Sequence, residues 1–320
     1  MDVPGEQVTL RPRILVLRGG AIGDFILTLP ALQALRRQWS GAHVELVGYP
    51  HIADLAKEGG LVDRVVSIDR SDMARFFSLN AAIPEEQSEY VRSFAFVLTY
   101  LYDPDGTVRR NLLATGVRQV LYCTPRVERG HAADHFMKPL ESLAIYPEGV
   151  PCPHLDLREE TAAGGRDLLD RFGRRVVILH PGSGGKAKRW PLDRFIALAR
   201  AVRGDGRTEV VFAAGEADDD IVAALRAAGE GGRLLTGLSL VALAGVLKNA
   251  RCYVGNDSGI THLAAALGIP VIALFGATDP AMWGPRGERV RILRRAVDGR
   301  WDVAGIGEDE VEEAVLATWL

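Results

Sequence analysis

The chain has 320 residues, 48% apolar and 25% charged, with a net charge of −3. This length and core content suit two globular domains, and the charge balance excludes a global attraction to nucleic acid. Cys123, Cys152 and Cys252, odd in number and without a C-x-x-C pair, exclude a disulfide framework and fit a reduced compartment. Near the start, the apolar run Ile14–Leu17 is too short for a secretion signal, and no run reaches the length of a membrane span. A cytoplasmic protein is expected, free to dock on a membrane surface.

In chain order, RILVLR (Arg13–Arg18) reads as a strand, Gly19–Gly23 as a glycine-rich turn, and Asp24–Trp39 as an amphipathic helix kinked at Pro30. Strands are predicted at His43–Val47 and Val65–Ile68, with a helix at His51–Glu58 between them. Ser71–Gln87 is less regular. Phe94–Tyr100 and Gln119–Cys123 read as strands, and Ala132–Ala144 as a helix. Alternation of this kind predicts a parallel sheet with helices on both faces.

Three prolines and a glycine in Tyr146–His154 break the periodicity and mark a linker, dividing the chain into domains 1–150 and 151–320. A second series follows. Val176–His180, Glu209–Ala213, Leu234–Leu235, Cys252–Val254, Val271–Phe275 and Arg289–Leu293 read as strands. Leu192–Val202, Ile221–Ala228, Leu240–Lys248 and the segment from Ile260 read as helices. Glu308–Leu320 is a terminal helix available to pack back on the N-terminal domain. Two doubly wound α/β domains place ligand sites at the carboxyl ends of strands, facing a cleft.

Four loops fall at such ends. Asn256-Asp257-Ser258-Gly259 opens a helix whose first N–H groups and positive dipole end suit a phosphate, with His262 one turn deeper. A simple helix cap at Asn256 or Asp257 explains the same residues. Gly19, Gly20 and Gly23 let backbone approach a ligand, but Arg18 stands where a dinucleotide fingerprint needs glycine. Asp24 is either a helix cap or a general base at the cleft mouth. The loop from His180 to Pro191 is no P-loop, because Ala187 replaces the hydroxyl residue. Ser183, Gly184, Lys186, Lys188 and Arg189 still form an anion cradle. Glu216 and Asp218 follow a strand, where carboxylates could accept from ribose hydroxyls or cap the next helix. His131 and His135, with Asp134 and Cys123, lack the glutamate of a zincin motif, so no metal site is expected.

RILVLRGGAIGDFILTLPALQALRRQWSGAHVELV, HPGSGGKAKRWPLDRFIALA and GNDSGITHLAAALGIPVIALFGATDP together resemble the bacterial heptosyltransferases of glycosyltransferase family 9. The resemblance spans nearly the whole chain in the right order. It implies a GT-B fold, two Rossmann-like domains around a central cleft. It further implies inverting, metal-independent transfer of heptose from an ADP-sugar, without a cofactor, to a glycan or glycolipid acceptor in lipopolysaccharide core assembly. Such an enzyme is cytoplasmic or peripheral on the inner membrane and needs no nucleic acid. By resemblance, Asp24 is catalytic, and Lys188, Ser183 and Gly184 contact phosphate. Asp257, Ser258, Gly259 and His262 surround the diphosphate and sugar, and Asp218 or Glu216 meets the ribose. The relatives' cysteine-rich segment before the last helix is missing here.

No signature marks the acceptor side. Arg92, Arg109, Arg110, Arg126, Arg129 and Lys138 could meet an anionic acceptor or form solvated surface. Two other classes fit the same pattern. A nicotinamide-dependent oxidoreductase would use Glu45 at the second strand's end, and a non-catalytic nucleotide-sugar sensor would need no base at Asp24.

Overall fold

The computed structural model describes residues 11–79, 81–173, 175–204 and 206–318. In the N-terminal half, β1 (Arg13–Arg18), β2 (His43–Gly48), β3 (Arg64–Ser67), β4 (Phe96–Thr99) and β5 (Val120–Tyr122) form a parallel sheet in the order β3-β2-β1-β4-β5. The C-terminal half holds β6 (Val176–His180), β7 (Glu209–Ala213), β8 (Leu234–Leu235), β9 (Cys252–Asn256), β10 (Val271–Phe275) and β11 (Val290–Arg294). Their order is β11-β10-β9-β6-β7-β8, again parallel. Both are doubly wound, with order reversing between β1 and β4 and between β6 and β9. The expected α/β, GT-B-type architecture is present. VVILH and VIALF are buried throughout, as strands covered on both faces must be.

The long helix predicted from Asp24 is two helices, Ile22–Ile26 and Leu29–Gln38. Pro30 has no N–H to return to the Ile26 carbonyl, so the ladder breaks. The Asp24 carbonyl is taken instead by the Thr28 hydroxyl and the Arg18 guanidinium, each at 2.8 Å. The helix predicted at Ala132–Ala144 turns 3₁₀ at Lys138, just before Pro139.

Helices at Glu85–Arg92, Thr107–Ala114 and Glu159–Asp170 went unread in the sequence. The last carries Gly164-Gly165, normally a break signal. Here Gly165 is a helix crossing: a Cβ on it would lie 2.0 Å from backbone at Gly245. The terminal helix is Glu308–Ala317, and its predicted end at Leu320 lies outside the described residues. Among the described residues it packs within the C-terminal half. Val311, Ala314 and Val315 join Trp190 and Phe195 in a C-terminal cluster, because the apolar face of the helix matches that surface. Ahead of the last helix a two-stranded hairpin pairs Ala296–Val297 with Arg300–Trp301.

The two halves touch beyond the linker. His131 Nε2 meets the Gly284 carbonyl at 2.9 Å, and Arg286 grips Asp134 through two bonds of 2.7 and 2.8 Å. Arg286 also donates to the Pro151 carbonyl, and Gln33 to that of His154. The largest apolar cluster crosses the boundary, running from Phe25, Ile26 and Leu55 to Ile260, Leu263 and Tyr253.

Candidate functional site

The carboxyl ends of β1, β6, β9 and β10 converge on a cleft of about 450 Å³ between the halves. The N-terminal half lines it with Ala21, Gly23, Asp24 and Leu27. The opposite wall includes Ser183, Gly184, Lys188, Asp257, Ser258, Gly259 and His262, joined by Thr278 and Trp283. Residues more than 230 positions apart in sequence thus share one space. Thr278, Trp283 and Leu27 carried no sequence signal.

Asp24 lies in the first turn of helix Ile22–Ile26, whose cap position is Ala21, so the cap reading fails. A carboxylate in a first turn is favoured by the helix dipole. Beneath it lies Arg18, 2% exposed. Its Nε donates to Thr28 Oγ1 at 2.9 Å, and its guanidinium sits 4.7 Å from the Phe136 ring and 5.7 Å from that of Tyr100. Burial lowers its pKa below the usual arginine value, opposed first by the charge of Asp24. The arginine that spoils a dinucleotide motif is therefore what fixes the Asp24 backbone. A charged residue ending an apolar strand was its one sequence signal. Gly20 adopts φ +93°, which a side chain would strain.

On the opposite wall the helix Gly259–Ala266 is capped by Ser258, not by Asn256 or Asp257; its hydroxyl accepts from Thr261 N at 3.4 Å. Asn256 is fully buried and spends its amide on Pro181 O (2.8 Å) and Trp190 N (2.9 Å), fixing the 181–190 loop to the end of β9. Ser183 Oγ donates to the Asp257 carbonyl at 2.8 Å. Lys188 Nζ lies 2.7 Å from Asp257 Oδ2, an ion pair outside hydrogen-bond geometry. Lys186 borders a neighbouring cavity with Arg189 and Asp220.

Glycines join the two walls. A Cβ on Gly259 would fall 2.5 Å from Ile22 Cβ and 2.9 Å from Gly23 N, and one on Gly23 would fall 3.3 Å from His262 Cδ2. Gly259 therefore faces the other half of the protein.

Asp218 is not free for a ribose. It is buried, accepts from Gly215 N at 3.0 Å and from Arg189 at 3.4 Å, and lies 3.8 Å from His180 Nε2. Glu216 is exposed, which makes it the open carboxylate of the two. Glu45 is 1% exposed and holds Arg13, His43, Arg64 and Tyr90, so it cannot serve a dinucleotide. The histidine pair does not converge on a metal. His131 spends Nδ1 on Ala133 N and Nε2 on Gly284, while His135 Nε2 meets Thr124 O at 2.7 Å. Among the described residues no group of three metal-type ligands occurs. Of the basic residues in the N-terminal half, Arg92 is paired with Glu85, Arg109 stacks on Tyr122 and Arg126 on Tyr102.

Burial pushes the His262 imidazole down to about 4, against the pull of Asp257, and its Nδ1 has no partner among the described residues. His180 is lowered by the same cause, opposed by Asp218. Both fold as neutral rings but take protons near pH 6.5 when unfolded. Stability is therefore complete above about pH 6.5 and falls as pH drops toward about 4, by about 1.4 kcal/mol per pH unit per ring at most. Calorimetric melting between pH 7.5 and 4.5 should show this slope, and His262→Gln should flatten it. A melting temperature unchanged over that window would refute the buried neutral state.

Residues 120–300 match the family model described as glycosyltransferase family 9 (heptosyltransferase). Lipopolysaccharide heptosyltransferase 2 of Salmonella typhimurium is 36% identical over 155 residues, which are 46% of this chain and 44% of that protein. The aligned part thus spans less than half of that relative. Lipopolysaccharide heptosyltransferase 1 of Pseudomonas aeruginosa is 26% identical over 298 residues, 86% of this chain and 81% of its own. Among solved structures, ADP-heptose lps heptosyltransferase II of E. coli superposes with a TM-score of 0.77 at 17% identity, covering 96% of this chain and 98% of its own. This last likeness concerns the fold.

Proposed function

The chain belongs to glycosyltransferase family 9, and from that premise we propose that it is an inverting glycosyltransferase. It moves heptose from an ADP-sugar to a hydroxyl of a lipopolysaccharide-type glycan. The observation that carries this reading is the pairing across one cleft of Asp24 from the N-terminal half with Lys188 and the Ser258-capped helix from the other. An acid–base group faces an anion site, as a displacement needs.

The donor diphosphate lies against Lys188, the N–H groups opening helix Gly259–Ala266, and the Ser183-Gly184 turn. Phosphate competes with Asp257 for the Lys188 ammonium, so donor binding loosens that ion pair. Neutral His262 lines the same cleft beside Ser258 and Gly259. Glu216 serves the ribose, since Asp218 is engaged. Asp24 takes the acceptor hydroxyl proton as its oxygen attacks the anomeric carbon. The bond to the diphosphate breaks on the opposite face, which inverts the centre. Charge developing on departing ADP is met by Lys188 and the helix dipole. These groups supply the neutralisation for which other transferases use a metal.

The test follows ADP release from ADP-heptose with and without a lipopolysaccharide core acceptor, in the presence of EDTA. Acceptor-dependent release that survives chelation is expected. Release that vanishes with EDTA and returns with Mg²⁺ would overturn the metal-free mechanism. No release, with no stabilisation by ADP-sugars in a melting assay, would overturn the donor assignment. Among the described residues no helix is long and apolar enough to cross a membrane.

A further inference from the structure

Arg18 is a buried cation beside the reacting centre that the proposed chemistry does not use. It ends β1 with 2% of its surface exposed. Nε donates to Thr28 Oγ1 and Nη2 to the Asp24 carbonyl, both neutral oxygens. The ring faces of Phe136 and Tyr100 flank the guanidinium, and the Tyr100 hydroxyl is spent on the Phe136 carbonyl. Among the groups whose charge reaches Arg18, burial keeps Tyr100 and Cys123 protonated. Asp24 is the remaining anion, and it meets Arg18 through its carbonyl, with no ion pair between the side chains among the described residues. Buried charges are ordinarily paired, because an unpaired one forfeits hydration without compensation. Nη1 carries the unspent donors. It makes no hydrogen bond among the described residues, yet it is not sealed from solvent. A Cβ on Gly20 would stand 3.7 Å from Nη1 and 3.3 Å from Asp24 Oδ2. Glycine there, exposed and at φ +93°, leaves a slot with the cation on one side and the carboxylate on the other.

We infer that Arg18 is an acceptor-binding residue, its Nη1 holding an anionic group, a carboxylate or a phosphate, that the acceptor carries next to the attacking hydroxyl. This deepens the transferase reading and rests on it. A guanidinium with free N–H groups prefers an anionic oxygen, and such a ligand supplies the counter-charge that the fold withholds. The slot also sets the register. An anion held at Nη1 leaves the neighbouring position of the acceptor facing Asp24, so the anchor aims the hydroxyl at its base. A neutral sugar in the same slot would leave the guanidinium uncompensated and bind less well.

The test offers the full chain three soluble forms of one de-O-acylated lipopolysaccharide core: untreated, carboxyl-reduced and dephosphorylated. Calorimetry reads binding, and ADP release from ADP-heptose reads transfer. Native protein should lose about 10- to 100-fold in affinity and in kcat/KM toward one treated form, and which form it is identifies the anion. R18Q should bind the untreated core as weakly as native protein binds that treated form, and should no longer distinguish the two. R18K keeps the charge and should keep part of the distinction. ADP affinity should stay native in both variants. Equal handling of all three forms by native protein overturns the inference, whether or not the variants fold. So does an R18Q protein that loses affinity or turnover by one factor toward every form, since that pattern marks Arg18 as a support for the Asp24 backbone alone. Failure of the transferase reading would appear instead as no ADP release with any form, while the binding arms still decide for or against Arg18.

Discussion

Asp24→Asn is expected to lower turnover about 10²- to 10⁴-fold while donor affinity stays within about twofold. The substitution preserves shape and hydrogen bonding and removes only the basic site. Helix capping cannot confound the result, because Ala21 holds the cap position and no side chain caps that helix. The Asp24 carbonyl stays bonded to Arg18 and Thr28 in either variant. Lys188→Ala provides the contrast: under the proposed mechanism, in which the ammonium meets the diphosphate in ground and transition states alike, it should weaken ADP binding and slow transfer together. The measurements are kcat at saturating substrates and calorimetric ADP affinity. Near-native turnover by Asp24→Asn would end the assignment of Asp24 as base.

Gly259→Ala should cut kcat about 100-fold and lower fold stability by about 1–3 kcal/mol. The added methyl would meet Ile22 Cβ at 2.5 Å and Gly23 N at 2.9 Å, both backbone-bound atoms that cannot swing aside. The two helices must separate, and a shift of about 1 Å at a reacting pair costs on the order of 10² in rate. Alanine is the better helix former, so impaired helix formation cannot account for a loss. Gly23→Ala should be milder, its nearest neighbour being His262 Cδ2 at 3.3 Å. Full activity in Gly259→Ala would mean that this close approach is not part of the reacting geometry.

Much of this site was legible before any coordinates. Continuous apolar runs such as VVILH located the strands, and small residues after them located the loops, because parallel strands buried on both faces leave no other pattern. What escaped depended on long-range packing. Arg18 reads as a surface residue until Tyr100, Phe136 and Thr28 are seen around it. Asp218 and Glu216 are two positions apart, yet Arg189 and the Gly215 amide decide which is spent. Gly165 looks like a helix breaker, and its true role depends on Gly245, eighty residues on. The short helix Thr107–Ala114 has too few turns to declare a period.

One apolar cluster runs from Phe25 and Leu55 through to Ile260 and Leu263, ignoring the linker that divides the chain. The two halves are thus architectural units without being independent folding units. Cutting the gene at the linker would expose one side of this shared core on each fragment, inviting aggregation rather than yielding two soluble domains. It also binds the melting of the C-terminal half to that of the N-terminal half, so a single cooperative transition should report on both. An ADP-sugar bound on one side would then protect the other from heat and proteases, although it touches little of it.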